Sequence, residues 1–198
     1  TTLFARKPCF ESLEERSLLS GNPPLAVDDA LTLPNDYSRT IPGLVNEWTF
    51  DEQDGSVAHD IVGHNDAALN NYAQGDQSWS AGRVGGALRF GGARYALTGS
   101  PITYDRYTIS FWSNLQVKEG GNPRLFTPLD SYWILQNNER GKGIGFYSGN
   151  WPNAQAPAGP TIDVWELYTI TLDRIAKTAN VYKNGVKVGS GTVSLAAP

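Results

Sequence analysis

From Leu44 onward apolar residues recur largely at every second position, in short runs broken by Gly, Pro, Asn and Asp. That period places alternate side chains on opposite faces of an extended chain and predicts strands. Leu44–Phe50 (LVNEWTF) is rich in strand formers and ends at Asp51, ahead of the turn pair Asp54-Gly55. Ala87–Phe90 precedes Gly91-Gly92, and Arg94–Leu97 resumes the pattern. Within Tyr107–Val117, Ile109, Phe111, Leu115 and Val117 fall on one face. Arg124–Thr127, Tyr132–Gln136 and Gly143–Tyr147 are three further short strands, separated by Pro128, Asn137-Asn138 and glycine-rich turns.

The clearest unit is Trp165–Val193. Tyr168, Ile170 and Leu172 point one way, while Glu166, Thr169 and Thr171 suit a solvated or half-covered face. A turn through Asp173–Lys177 leads into Thr178–Lys183, with Ala179 and Val181 inward. Asn184-Gly185 is the strongest two-residue hairpin signal, because both central positions tolerate positive φ. Val186–Thr192 then returns, which completes a three-strand meander. Many short strands, frequent turn signals and no long helical stretch predict an all-β sandwich or barrel. Trp48, Phe50, Phe90, Ile109, Phe111, Ile134, Phe146, Ile170, Leu172 and Val181 supply its inward faces. Each contributes roughly 1.5–3 kcal/mol when fully buried.

The first forty residues follow another pattern. In residues 1–22, Phe10, Leu13 and Leu18 lie near helical spacing, with Glu11, Glu14, Glu15 and Arg16 between them, and Gly21, Pro23 and Pro24 stop the run. This predicts a short amphipathic helix or a disordered leader. Arg6 and Lys7 form a basic pair, but the apolar stretch of about 7–15 residues that a secretory signal needs is absent. Residues 23–43 are rich in Pro and Asp and read as a linker, with a short strand at Ala30–Leu33.

Composition narrows the function classes. The chain has 198 residues, enough for one domain with tails. Its 1 cysteine excludes an internal disulfide framework. A net charge of −4 argues against a nucleic-acid footprint. No apolar run is long enough to span a membrane as a helix. With no methionine and Thr1 at its start, the chain reads as processed, clipped or a fragment.

Three stretches carry resemblances. Phe10–Ser20 (FESLEERSLLS) resembles the LE-x-R-x-LLS segment near the start of many exported planctomycete proteins, which implies a secreted or cell-surface protein. Pro23–Ala30 (PPLAVDDA) resembles the opening of cadherin-like repeats of bacterial surface proteins, but nothing after Leu33 continues the repeat. The third stretch comprises Trp48–Glu52 (WTFDE), Asp60 with Gly63–Asp66 (GHND), Gly85–Phe90 (GGALRF), Tyr107–Trp112 (YTISFW), Trp165–Asp173 (WELYTITLD) and Val181–Val186 (VYKNGV). In that order they resemble the laminin-G-like, concanavalin-A-like jelly rolls of bacterial surface proteins. The resemblance implies a two-sheet antiparallel sandwich over residues 44–198, with a concave face that often binds glycans or proteins. Two departures stand out. The family's closing strand is missing before Pro198, which leaves an open edge that favours association. Arg94 also stands, after Gly91-Gly92, where the family usually carries an acid, which weakens a calcium site there.

Two sets of residues are candidates for binding. Asp60, Asn65 and Asp66 lie in a glycine-containing loop and could supply oxygens to calcium, which takes six to eight. Turn hydrogen bonds to the local backbone are the alternative for Asp60 and Asn65. His59 and His64, the only histidines, lack the spacing and further ligands of a zinc site. Tyr132, Trp133, Tyr147 and Trp151, with Asn150 nearby, combine rings that stack on sugar C–H faces with an amide that binds hydroxyls. For Trp133 and Tyr147 the alternative is core packing in adjacent strands, and Trp151 reads as a loop residue beside Pro152 and Asn153.

Signatures of catalysis are missing. There is no Glu-x-Asp-x-Glu run, G-x-S-x-G elbow, H-E-x-x-H or P-loop. Glu47, Asp51, Glu52 and Asp54 are near one another in sequence, but Glu47 and Asp51 flank a strand and read as ordinary surface acids, not as the paired carboxylates of glycoside hydrolysis. Gly141–Gly145 leads into a strand, so it is a turn. The expected function is a non-catalytic carbohydrate-binding or adhesion module of a secreted or cell-surface bacterial protein, whose partner is a glycan or another surface protein. The alternative is a structural spacer or protein–protein interaction domain, and the third reading is a glycoside hydrolase of the same fold.

Overall fold

The computed structural model describes residues 2–4, 41–72, 78–91, 93–101, 104–116, 124–126, 132–136, 144–148, 151–155 and 159–193, with 2–4, 124–126, 132–136, 147–148 and 151–155 traced as paired backbone. These residues form strands, turns and irregular chain, with no helix among them. The strands are β1 (Thr2–Phe4), β2 (Val57–Ala58), β3 (Ala67–Asn70), β4 (Trp79–Ala81), β5 (Gly86–Arg89), β6 (Tyr95–Thr98) and β7 (Arg106–Asn114). They continue with β8 (Arg124–Phe126), β9 (Tyr132–Gln136), β10 (Ile144–Ser148), β11 (Trp151–Gln155), β12 (Trp165–Asp173), β13 (Thr178–Lys183) and β14 (Val186–Thr192).

Three antiparallel sheets result. A seven-stranded sheet runs β14-β13-β12-β7-β1-β5-β4, a four-stranded sheet β11-β10-β9-β8, and a three-stranded sheet β2-β3-β6. The four-stranded sheet packs on the β12–β14 part of the seven-stranded one, as in a sandwich. The core between them holds Ile144 and Phe146 of β10 against Phe111 of β7, Tyr168 and Ile170 of β12 and Val181 of β13. The Phe111 and Tyr168 rings stack with centroids 6.1 Å apart. All-β architecture, as the alternating pattern predicts, is therefore what the chain adopts.

The meander forms where the pattern places it. β12, β13 and β14 pair in sequence, and the turn between β13 and β14 is Asn184-Gly185, with φ of 50° and 80°. Both values lie in the left-handed region that a type I′ turn demands. Asn184 also ties the hairpin tip to β12: its N–H donates to the Leu167 carbonyl at 2.7 Å, and its Oδ1 accepts from the Leu167 N–H at 2.8 Å.

Other elements differ from the expectation. Leu44–Phe50 is not a strand; its one ladder contact is the bridge between Trp48 and Asp60. Phe50 and Gln53 turn the chain with φ of 57° and 65°, so the run cannot continue extended. Glu166 faces inward beside Tyr168, not outward with the threonines. Trp151 begins a strand, β11, and its neighbour Pro152 is accommodated because β11 is a sheet edge. Thr2–Phe4, within the leader, forms β1 between β5 and β7. The rest of the leader and most of the linker, with Ala30–Leu33, lie outside the described residues, as does Val117.

Candidate functional site

The loop Asp60–Asn65 is organised by one carboxylate. Asp60 is 2% exposed. Its Oδ1 accepts from the N–H groups of Glu47 (2.8 Å), Val62 (3.1 Å) and Gly63 (3.0 Å). Its Oδ2 accepts from Asn46 Nδ2 (2.5 Å) and the Asn65 N–H (3.0 Å). The bond to Val62, two residues on, is an Asx turn, the local geometry an aspartate favours at a loop start. Gly63 fits because the loop presses on residues 45–46: a Cβ there would collide with the Val45 carbonyl and the Asn46 side chain. Burial by itself would raise the Asp60 pKa, but the Asn46 amide and the N–H groups of Glu47, Gly63 and Asn65 outweigh it and hold the carboxyl below the usual range.

The neighbouring candidates are engaged as well. Asn65 exchanges two bonds with Ser100, its Oδ1 accepting from the Ser100 N–H at 2.8 Å and its Nδ2 donating to the Ser100 carbonyl at 2.9 Å. Asp66 Oδ1 accepts from the Asp60 N–H at 2.8 Å, and Oδ2 faces His59 Nδ1 at 2.9 Å. A carboxylate offers about four lone-pair directions, and five donors already occupy those of Asp60. The three residues thus do not fit a calcium ion, which would have to displace N–H donors to bind. Among the described residues no group of three or more His, Cys, Asp and Glu side chains converges on a point that could hold a metal.

A second buried carboxylate, missed from the sequence, lies at the end of the core. Glu166 is 3% exposed. Its Oε1 meets Lys183 Nζ at 2.6 Å and accepts from Thr161 Oγ1 at 2.9 Å, while Oε2 accepts from Tyr168 OH at 2.8 Å. Burial opposes ionisation here too, but Lys183, Tyr168 and Thr161 together keep the carboxyl below its ordinary value. The Tyr168 hydroxyl is pushed well above its own, by burial first and then by the carboxylate it bonds. The signal was parity: Glu166 shares its even register with Tyr168, Ile170 and Leu172, so an acid stood in an inward position.

The aromatic candidates fall on the four-stranded sheet, where register relates them. Trp133 of β9 pairs with Tyr147 of β10, which pairs with Pro152 of β11. Tyr132 pairs with Ser148, and Ser148 with Trp151. Strand alternation puts positions 133 and 147 on the face opposite Ile144 and Phe146, both buried in the core. Positions 132 and 151 share the parity of Phe146, at the end of the strands. The candidates therefore divide between two faces, in two cross-strand rows. Asn150 lies outside the described residues. On β7, Trp112 carries Arg83 over its ring at 5.6 Å, a cation–π contact.

Comparison with known proteins gives one positive finding. Residues 90–198 match a laminin G-type family model described as the concanavalin A-like lectin/glucanases superfamily. No curated protein and no solved structure matches the chain.

Proposed function

Because the chain belongs to the concanavalin A-like lectin/glucanases superfamily, we propose that it acts as a non-catalytic carbohydrate-binding or adhesion module of a secreted or cell-surface protein. The observation that carries this reading is the direct pairing of Trp133 with Tyr147, with Pro152 next in the row. These positions lie on the sheet face away from buried Ile144 and Phe146. Ring-bearing positions side by side on a sheet suit the flat C–H faces of a sugar chain, with nearby amides for its hydroxyls. The reading without catalysis rests on the sequence, which carries no Glu-x-Asp-x-Glu run. Calcium takes no part in the proposal. The resemblance of Phe10–Ser20 to exported bacterial proteins supports the location.

The test is retention on a panel of immobilised polysaccharides, comparing the chain with W133A and W151A and monitoring the fold by circular dichroism. Loss of one stacking ring should weaken binding about tenfold, the equivalent of roughly 1.4 kcal/mol. Retention by the folded protein but not by W133A supports the site. Equal retention by W133A moves the site elsewhere, and no retention on any polysaccharide ends the glycan reading.

A further inference from the structure

In the seven-stranded sheet, the block β14-β13-β12-β7 and the pair β5-β4 share no hydrogen-bonded edge; β1 is the one strand between them. That strand is three residues long. On one side Thr2 and Leu3 stand opposite Arg89 and Leu88. On the other, Thr2, Leu3 and Phe4 stand opposite Asn114, Ser113 and Trp112. Both neighbours come from distant parts of the sequence, and residues 5–40 separate β1 from Ile41, where the described chain resumes. Extended, that length of chain spans up to roughly 120 Å.

The slot demands an occupant. Leu88 and Ser113, which flank register position 3, are 0% and 2% exposed. Without a strand between them, β5 and β7 would each present a row of unpaired main-chain donors and acceptors inside a sheet. Yet the occupant gives β5 only two residues of pairing and β7 only three.

We propose that the slot between β5 and β7 is a strand-acceptor site, and that Thr2–Phe4 fills it by exchange between two copies of the chain as well as within one. The second copy is the fitting occupant because its segment is identical and already has a register that matches both walls. Exchange is reciprocal: each copy offers the same donor and the same slot, which closes a two-fold dimer. Intramolecular filling competes through its effective concentration, so the exchanged dimer gains as protein concentration rises.

The experiment uses the full chain with Cys9 replaced by Ser. Opposed residues on antiparallel strands have Cα atoms about 4.5–5.5 Å apart, within the range a disulfide bridges. The T2C/R89C double variant is oxidised alone, and the T2C and R89C single variants are oxidised as a mixture over a hundredfold range of concentration. Non-reducing gels and peptide mass spectrometry read the products. T2C/N114C repeats the measurement on the other wall. T2C mixed with I175C, at an exposed position away from the slot, is the background. Exchange predicts a T2C–R89C interchain crosslink whose yield rises with concentration and exceeds that with I175C severalfold. Crosslinking within the double variant, with none between the mixed single variants at any concentration, overturns exchange and keeps β1 in its own chain. No crosslink in either arm, or one no stronger than with I175C, overturns the slot assignment. Equal capture by R89C of an unrelated extended peptide bearing a cysteine makes the slot a general acceptor and overturns the second-copy assignment.

Discussion

Between Trp165 and Thr192 the chain satisfies its backbone by pairing with itself. Each strand of the β12–β14 meander opposes the next, and alternate side chains fill the core. Between Asn46 and Asn65 there is almost no ladder. Four backbone N–H groups and one amide converge instead on the Asp60 carboxylate, the Ile61 N–H donates to the Glu47 carbonyl, and Trp48 Nε1 donates to the Asn65 carbonyl. The first region spreads its stability over many weak, replaceable contacts. The second concentrates it in one side chain, so a single substitution should separate the two.

The largest effect is expected from Asp60→Ala. It removes the one carboxylate on which five donors of this part-buried loop converge, at about 4 kcal/mol. That lowers the melting temperature by roughly 8–16 °C in a domain of this size, as thermal denaturation would show. A loss below about 1 kcal/mol would mean that the loop holds without its carboxylate. Ile170→Ala empties a fully buried position of the meander and should cost about 3 kcal/mol by urea unfolding, the transfer term plus a cavity. Gly185→Ala keeps the turn but forces a Cβ into φ of 80°, at about 1 kcal/mol in the same assay.

Acid sharpens the contrast further, and its effect is smallest at neutral pH. The folded Asp60 and Glu166 carboxyls titrate below their ordinary values of 3.8 and 4.5. At intermediate pH the unfolded chain therefore binds more protons. Their stabilisation is complete above about pH 5 and is lost as pH falls through the folded values. Urea midpoints should be level from about pH 7 to 5 and drop below about pH 4. Asp60→Asn, already weaker at neutrality, should show a shallower drop. An unchanged slope in that variant would assign the acid sensitivity to Glu166 and the remaining acids.

The contrast also explains what the sequence revealed. Tyr132–Gln136 matches β9 at both ends, and the pattern locates β5, β6, β7 and the meander within a residue or a few, because period-two burial is a local signal. Leu44–Phe50 misleads because its strand-forming residues end in backbone angles set by Asp60 and the following turns, a tertiary cause. β2, β3 and β4 are two to four residues long, too short to show a period. β1 was beyond reach, since only the gap between β5 and β7 gives Thr2–Phe4 a reason to extend. For the site, residue types pointed to Asp60, Asn65 and Asp66 as oxygen donors, but only coordinates show that N–H groups already take those oxygens. The aromatic residues were visible as a group; their division into the 133–147 and 132–151 rows follows from a register that no spacing encodes.

Pro152 has a consequence for how copies of this molecule meet. It sits in β11, the outermost strand of its sheet, which pairs with β10 through a shift in register at Phe146/Tyr147. A strand that carries a proline, which has no amide hydrogen, and an irregular register beside it is a poor template for a stranger's backbone. Fibril-like stacking is thereby discouraged along this side of the sandwich.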